Sequence, residues 1–426
     1  MTMLDMKLIR EKPDEVRKAI RAKNTDIDLD MLLELDKKKR NLLREVEKLR
    51  SEKNEISTQI GQMLKKKVNA KDLIDKNKAI SQKISDFIPE MEDISNRLHN
   101  ILMSIPNIPH NDVPIGKDGS SNQLVKEWGQ VPEFDFKPKD HIEILESLGM
   151  MNFKMAGKIS SSGFALYLGQ GARLERALIN FMLDLHTKEH HYTEVFPPFL
   201  VNRASMEGTG QLPKLESDMY CLKEDDLFLI PTAEVPLTNM YRDYLFKEED
   251  LPCRLTAFSG CFRREAGSYG KDTKGLQRVH QFNKVELVKF VKPERSYDEL
   301  ESLLKDAETV LQRLQLPYRV QLLSSGDMSF AAAKCYDIEV WAPGMAKWLE
   351  VSSCSNFEDF QARRARIKFA DTNKKESNFV HTLNGSGLAL PRFVIALVEN
   401  YQLADGSIKV PEALRGYIDG AQTLGG

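Results

Sequence analysis

Apolar residues recur at alternating steps of three and four over two stretches of about thirty residues each. Leu35, Leu42, Val46, Leu49, Ile56, Ile60 and Met63 make the first seam, with Lys39 and Lys53 in its two gaps. After KKKVNAKD the pattern resumes with Leu73, Ile80, Ile84, Phe87, Met91, Ile94, Leu98, Ile101 and Ile105. A sustained heptad keeps one stripe turned toward a partner helix, so it restricts the fold more than any other feature here. The connection is short and polar, which makes the two helices antiparallel neighbours. The pattern predicts a long helical hairpin, a coiled-coil arm over about residues 28–105. Pro89 falls inside the second helix and is expected to kink or break it. Residues 1 to about 25 predict one short helix, with Pro13 in its first turn.

The arm is asymmetric in charge. From Leu35 to Lys71 there are 12 Lys and Arg against 5 Asp and Glu; from Asp72 to Ile105 the counts are 4 and 6. The basic helix carries Lys39, Arg40, Arg44 and Lys48, and the tip carries Lys65, Lys66 and Lys67. Such a face suits a phosphate backbone. A solvated face, a spacer or a dimerisation rod carries charge in the same way. The whole chain has a net charge of −2, so any nucleic-acid footprint is local.

Residues 106–139 hold Pro106, Pro109, Pro114, Pro132 and Pro138 among Gly, Ser and Asn, and read as a linker. From residue 140 to 426 the composition is that of a mixed α/β domain. GARLERALINFMLDLHTKE predicts an amphipathic helix with Leu174, Leu178, Phe181, Met182 and Leu185 on one side. YTEVFPPFLV predicts a strand ending at Pro197 and Pro198. Neither a regular βαβ rhythm nor a GxxxxGK[ST] phosphate loop is present. The expected class is α+β: a helical hairpin, then a mainly antiparallel sheet flanked by helices. The five cysteines are odd in number and lack a CxxC pair, which points to a reducing cytoplasm and to no structural zinc. MTMLDMKLIREKPDE is charged too early for a secretory leader, and no apolar run approaches the ~18 residues of a membrane span.

Chemistry concentrates in FRREAGSYGKDTKGLQRVHQFNKVELVKF, Phe262 to Phe290, which reads as two strands around a polar loop. Residues two apart on a strand share a face. Arg263 and Glu265 therefore point together, and so do Arg278, Phe282 and Glu286. Burying these groups unpaired is costly. Two readings satisfy them: a cross-strand salt-bridge ladder, or a ligand carrying phosphates, an aromatic base and an ammonium. HTLNGSGLALPRFVIALVENYQ adds a Gly-flanked loop, Asn384 to Gly387, leading into an apolar helix. Arg392 falls in that helix's first turn, an end that prefers anions, and a bound phosphate would explain it.

These segments resemble the seryl-tRNA synthetases, of the class II aminoacyl-tRNA synthetases, over essentially the whole chain. The matching phrases include SIPNIPHNDVPIGKD, GTGQLPK, PTAEVPLTNMY, FRREAGSYGKDTKGLQRVHQFNKVE, LEVSSCSNFEDFQARR and TLNGSGLALPR. The departures are Gly260, where the family pattern has Pro, and Leu390-Pro391, where Val-Gly is common. The resemblance implies a homodimer that binds ATP, Mg²⁺, L-serine and tRNA(Ser), with tRNA(Sec) a further partner where it exists. It implies that Arg263 holds the α-phosphate and the serine carboxylate, and that Glu265 reads the adenine amino group. Phe282 and Arg392 sandwich the base along the backbone at Val279, with Arg264 and Arg278 near the nucleotide. Thr232, Ala233, Glu234, Glu286 and Ser386 form the serine pocket. Glu350 and Ser353, with Val351 and Ser352 between them, lie by the metal and ATP. The arm binds tRNA. A threonyl or prolyl class II synthetase, and a non-catalytic tRNA-binding paralogue, are the alternatives.

Overall fold

The computed structural model describes residues 4–266, 274–371 and 376–425. It divides into two compact units, Met1–Arg21 with Thr25–Ile105 and Ala22–Asn24 with Pro106–Gly426.

In the first unit, helices α1 (Met6–Glu11), α2 (Pro13–Ala22), α3 (Leu29–Lys65) and α4 (Lys71–Ser104) follow in order. The single short helix expected before the hairpin is two, because Pro13 starts a helix but cannot continue one. The Asp28 carboxylate accepts the Met31 N–H and caps α3. Every residue of the two apolar seams is buried or half-buried, with Ile94 at 1 % exposure. Lys39 and Lys53 are half-buried in the same stripe, which their long apolar stems allow. Lys38 pairs with Glu90 at 2.7 Å and Lys76 with Glu52 at 2.8 Å, joining α3 to α4. The break expected at Pro89 does not occur, since α4 runs through it. Pro89 and Ser85 are both exposed, so water can meet the carbonyl that Pro89 leaves unpaired.

The second unit is built on an eight-stranded sheet. Its strands are β1 (Gln123–Trp128), β2 (Thr193–Glu194), β3 (Cys253–Phe262), β4 (Gln281–Val291), β5 (Tyr318–Leu322), β6 (Lys334–Ala342), β7 (Lys347–Asn356) and β8 (His381–Ala389). Their spatial order is β1-β5-β6-β7-β8-β4-β3-β2, antiparallel except for the β2–β3 edge pair. Helices α5 (Gln170–Lys188), α6 (Ser296–Arg313) and α7 (Leu390–Asn400) share a core with this sheet. Leu174, Leu178, Phe181, Met182 and Leu185 of α5 are all buried there, as their spacing predicts.

Three local expectations are corrected. The stretch 106–139 is more than a linker, because β1 lies within it and forms the edge of the sheet. QLVKEW is exposed along β1 apart from a half-buried Trp128, so it carries no alternation to read. YTEVFPPFLV forms a strand only at Thr193–Glu194; Leu200–Asn202 belongs to a separate three-stranded sheet. The two prolines between them have no N–H for a ladder. Asn384 to Gly387 is not a loop but part of β8. Its glycines answer close packing: a Cβ on Gly385 would lie 2.9 Å from Cys354 Sγ, and one on Gly387 2.8 Å from His186 Nε2. Among the described residues, no helix is long and apolar enough to cross a membrane.

Candidate active site

A cavity of about 380 Å³ opens in the second unit, over β4, β7 and β8. Its wall takes Arg263, Glu265, Arg278, Val279, Phe282 and Glu286 from the hairpin, Thr232 from just before the Glu234–Asn239 helix and Glu234 from its first position. Glu350, Val351, Ser352 and Ser353 come from β7, Ser386 from β8, and Arg392 from α7. Ala233 and Arg264 are not part of the wall. Ala233 is fully buried in an apolar cluster, and Arg264 is exposed, its backbone N–H donating to the Asp218 carbonyl at 2.9 Å.

The strands of the hairpin are shorter than the sequence suggests. β3 stops at Phe262 and β4 starts at Gln281, so Arg263, Glu265 and Arg278 all lie outside the ladder. Arg263 extends it by one bond, N–H to the His280 carbonyl at 2.9 Å. Glu265 then takes a left-handed φ of +51°. Strand alternation is thus not what brings Arg263 and Glu265 to one cavity; the turned backbone is. Residues 267–273 of the hairpin loop lie outside the described residues. The residues on either side pair off: Arg278 donates to Glu265 Oε2 at 3.2 Å, and the Arg263 guanidinium lies 5.3 Å from the centroid of the Phe282 ring. This end of the cavity therefore offers an aromatic face, a carboxylate and two guanidiniums.

The cavity wall also holds a buried polar cluster. Thr232 Oγ1 donates to Glu286 Oε2 at 2.8 Å and accepts from Lys284 Nζ at 2.9 Å and from the Glu234 N–H at 3.2 Å. Lys284 also forms a salt bridge with Glu286. Gln361 Nε2 donates to Glu234 Oε1 at 2.6 Å, while its own oxygen accepts from Thr382. Burial pushes the Glu234 carboxyl up to about 7; the Glu286 charge adds to the effect and the Gln361 donor opposes it. Two buried carboxylates thus share one buried ammonium, and the Arg263 guanidinium also acts on Glu234.

A bulge sets the third group. Ile338 pairs with Ser352 and Glu339 with Glu350, so Val351 is the extra residue of β7. Glu350 and Ser353, three apart, would otherwise face opposite sides of the strand; with the bulge both reach the cavity. Ser353 Oγ donates to Asp337, whose carboxyl is pushed well above the carboxylate range, first by burial and then by Glu350. A carboxylate and a hydroxyl directed into one cavity fit a hard divalent cation. Arg392, in the first turn of α7, donates to Glu350 Oε2 at 3.2 Å and to the Gln277 carbonyl at 3.2 Å. Glu350 therefore supplies the negative charge that the helix end lacks.

Lys284, Gln361 and Asp337 were not singled out from the sequence. Lys284 was within reach, because it sits midway between Phe282 and Glu286 on the same alternating face. Gln361 gave no such signal; it arrives from a distant helix, Phe360–Ala365.

Comparison with known proteins bears on the same residues. The model of the seryl-tRNA synthetase N-terminal domain matches residues 3–109, and that of the class II tRNA synthetase core domain (G, H, P, S and T) matches residues 218–401. The serine–tRNA ligase of Chloroherpeton thalassium is 52 % identical over 99 % of this chain and 100 % of its own length. That of Carboxydothermus hydrogenoformans is 54 % identical over 98 % of both. Among solved structures, the seryl-tRNA synthetase of Pyrococcus horikoshii complexed with ATP matches with a TM-score of 0.92 at 37 % identity, covering 99 % of each chain. With both domains matched in order and full-length identity above half, the chain belongs to the seryl-tRNA synthetase family of class II aminoacyl-tRNA synthetases.

Proposed function

We propose that the chain is a serine–tRNA ligase, which joins L-serine to ATP as seryl-adenylate with release of pyrophosphate and then transfers serine to the 3′-terminal adenosine of tRNA(Ser). The observation that carries the amino-acid end is the buried Thr232–Glu234–Lys284–Glu286 cluster, in which two carboxylates share one lysine. A small zwitterion fits it: the ammonium between Glu234 and Glu286, the hydroxyl among Thr232, Glu286 and Ser386, the carboxylate toward Arg263. At the other end adenine stacks on Phe282 beside Val279, its amino group meets Glu265, and Arg278 and Arg392 take the phosphates. Arg264 is left for the nucleotide's outer edge or for RNA.

Glu350 and Ser353 would hold Mg²⁺ through the ATP phosphates, where the cation would supply positive charge to the leaving pyrophosphate. The serine carboxylate is ionised at pH 7, so adenylation needs no general base. What the residues contribute is alignment of carboxylate with α-phosphate and neutralisation of developing charge. Alanine is rejected because buried partners of the hydroxyl are left unpaired, a penalty that reaches ~10⁴–10⁵ in such sites. Threonine adds a methyl and is excluded sterically. The reading extends to tRNA binding by the arm through Arg44, Lys48, Lys65, Lys66 and Lys67, all exposed. Lys39 and Arg40 contribute less, being half-buried, with Arg40 held by Asp36 at 2.9 Å. A cytoplasmic homodimer, and tRNA(Sec) as a further substrate, belong to the same reading.

The test is amino-acid-dependent ATP–pyrophosphate exchange without tRNA, using serine, threonine, alanine and proline in parallel. Exchange with serine alone is expected. Exchange with threonine or proline would favour another class II specificity, and none at all, from folded protein that binds ATP, would leave a tRNA-binding paralogue.

A further inference from the structure

One wall of the cavity is the turn Ser329-Phe330-Ala331; Ala331 lies against Gly210, and the adjoining Thr209 carbonyl shares the Gln361 amide with Glu234 at the amino-acid end. A turn exposes its carbonyls, and here five in a row, residues 329 to 333, are met from far away in the sequence. Lys23 Nζ donates to the Ser329 carbonyl at 2.6 Å and to the Ala332 carbonyl at 2.8 Å. The Asn107 backbone N–H takes the Phe330 carbonyl at 3.1 Å, and its side-chain amide takes those of Ala331 at 2.9 Å and Phe357 at 2.8 Å. The His110 N–H takes the Ala333 carbonyl at 2.8 Å. Lys23 is 7 % exposed, and the residues Ala22–Asn24 cluster with the second unit although helices of the first flank them in sequence. Burial pulls the Lys23 amine down to about 7, and either protonation state keeps the two N–H donors these carbonyls need. The Phe330 ring is held as well, 5.0 Å from Lys214 Nζ and 5.7 Å from the Phe360 ring. Lys23 gives up its hydration to clamp two carbonyls, and doing so stiffens this wall of the cavity.

We infer that Lys23 is a positioning residue for serine binding, fixing the 329–332 turn against the amino-acid end of the cavity through its two carbonyl bonds. The inference rests on the serine-activating reading above.

The experiment compares Lys23→Met, Lys23→Arg and the unaltered protein in ATP–pyrophosphate exchange, with KM for serine and for ATP measured separately and folding followed by thermal unfolding. In Lys23→Met, which removes both carbonyl bonds, the serine KM should rise about tenfold, with the ATP KM changed less than about twofold. Lys23→Arg, which keeps N–H donors, should recover part of the loss. An unchanged serine KM in folded Lys23→Met, or an equal rise in both KM values, overturns the inference. If Lys23→Met does not fold, Lys23→Gln, which keeps one donor pair without charge, decides by the same split. Failure of the unaltered protein to exchange with serine would instead overturn the activity reading itself.

Discussion

The arm and the sheet unit use charge in opposite ways. In α3 and α4 most charged residues face water, Asp36 being a buried exception held by Arg40, and the fold rests on one apolar stripe with exposed pairs such as Lys38–Glu90. Pairs of that kind contribute little to stability. In the sheet unit, Lys284, Glu286, Glu234 and Gln361 are buried together, and each depends on the others for a partner. Breaking one such pair leaves an uncompensated buried group and costs several kcal/mol. Charge on the arm is thus replaceable in number, whereas charge in the cavity is fixed in position. Substitutions in the two units should separate cleanly.

The largest effect is expected at Arg392. Arg392→Ala removes a guanidinium from the nucleotide end and leaves Glu350 without its partner. Serine-dependent exchange should fall by about 10²–10³ while the fold is retained, because such losses are typical of groups that stabilise transition-state charge. Near-normal exchange in the variant would remove that arginine from the phosphate site. The converse substitution is in the arm. Lys65, Lys66 and Lys67 together changed to Ala should leave exchange without tRNA untouched, but raise the KM for tRNA by about tenfold or more. The slope of log affinity against log salt should become shallower by about one unit for each phosphate no longer neutralised. An unaltered salt slope would make the tip a solvated surface only.

A smaller effect, graded with pH, tests the buried cluster. With the Glu234 carboxyl near 7, it is increasingly neutral below that pH and no longer attracts an ammonium. The kcat/KM for serine should fall below about pH 7, by at most about tenfold per unit. In Glu234→Gln that limb should vanish, leaving a low value throughout. The linkage to stability has the opposite sense. The folded state binds this proton more tightly than the unfolded chain, so the group's contribution weakens as pH rises from about 4.5 toward 7. Glu286, Lys284 and Arg263 face the same space, so the comparison with Glu234→Gln is what isolates this carboxyl. The smallest effect on catalysis is expected at Pro89. Pro89→Ala restores an amide to an exposed helix position and should slow hydrogen exchange around residues 86–93 without altering serine activation. Loss of aminoacylation in that variant would mean that the proline shapes the arm for its partner.

The two units also differ in how much could be read beforehand. The heptads located both arm helices and every seam residue, because a helix that buries one stripe writes its period into the chain. At Pro89 the helix runs on where a break was one expectation, since a rule about helix interiors does not say whether the freed carbonyl meets water. In the sheet unit the alternation along β4 found Phe282 and Glu286, and extended to Lys284 it would have found the third member. It failed for Glu265, for the β8 glycines and for Glu350 with Ser353, where positive φ, close packing and a bulge replace simple alternation. β1 was missed because an edge strand exposed on both faces has no pattern.

By itself, then, the sequence determined the arm, its basic face, the order of the parts, and, through long ordered motifs, the family. Those depend on local period and on residue identity, which are linear properties. Tertiary structure alone decided that Gln361 meets Glu234, that Val351 bulges so two oxygen donors share a cavity, and that Lys23 clamps a turn three hundred residues away. Such interactions close long loops between groups with no local preference for one another, and only the packed sheet sets the distances at which they meet.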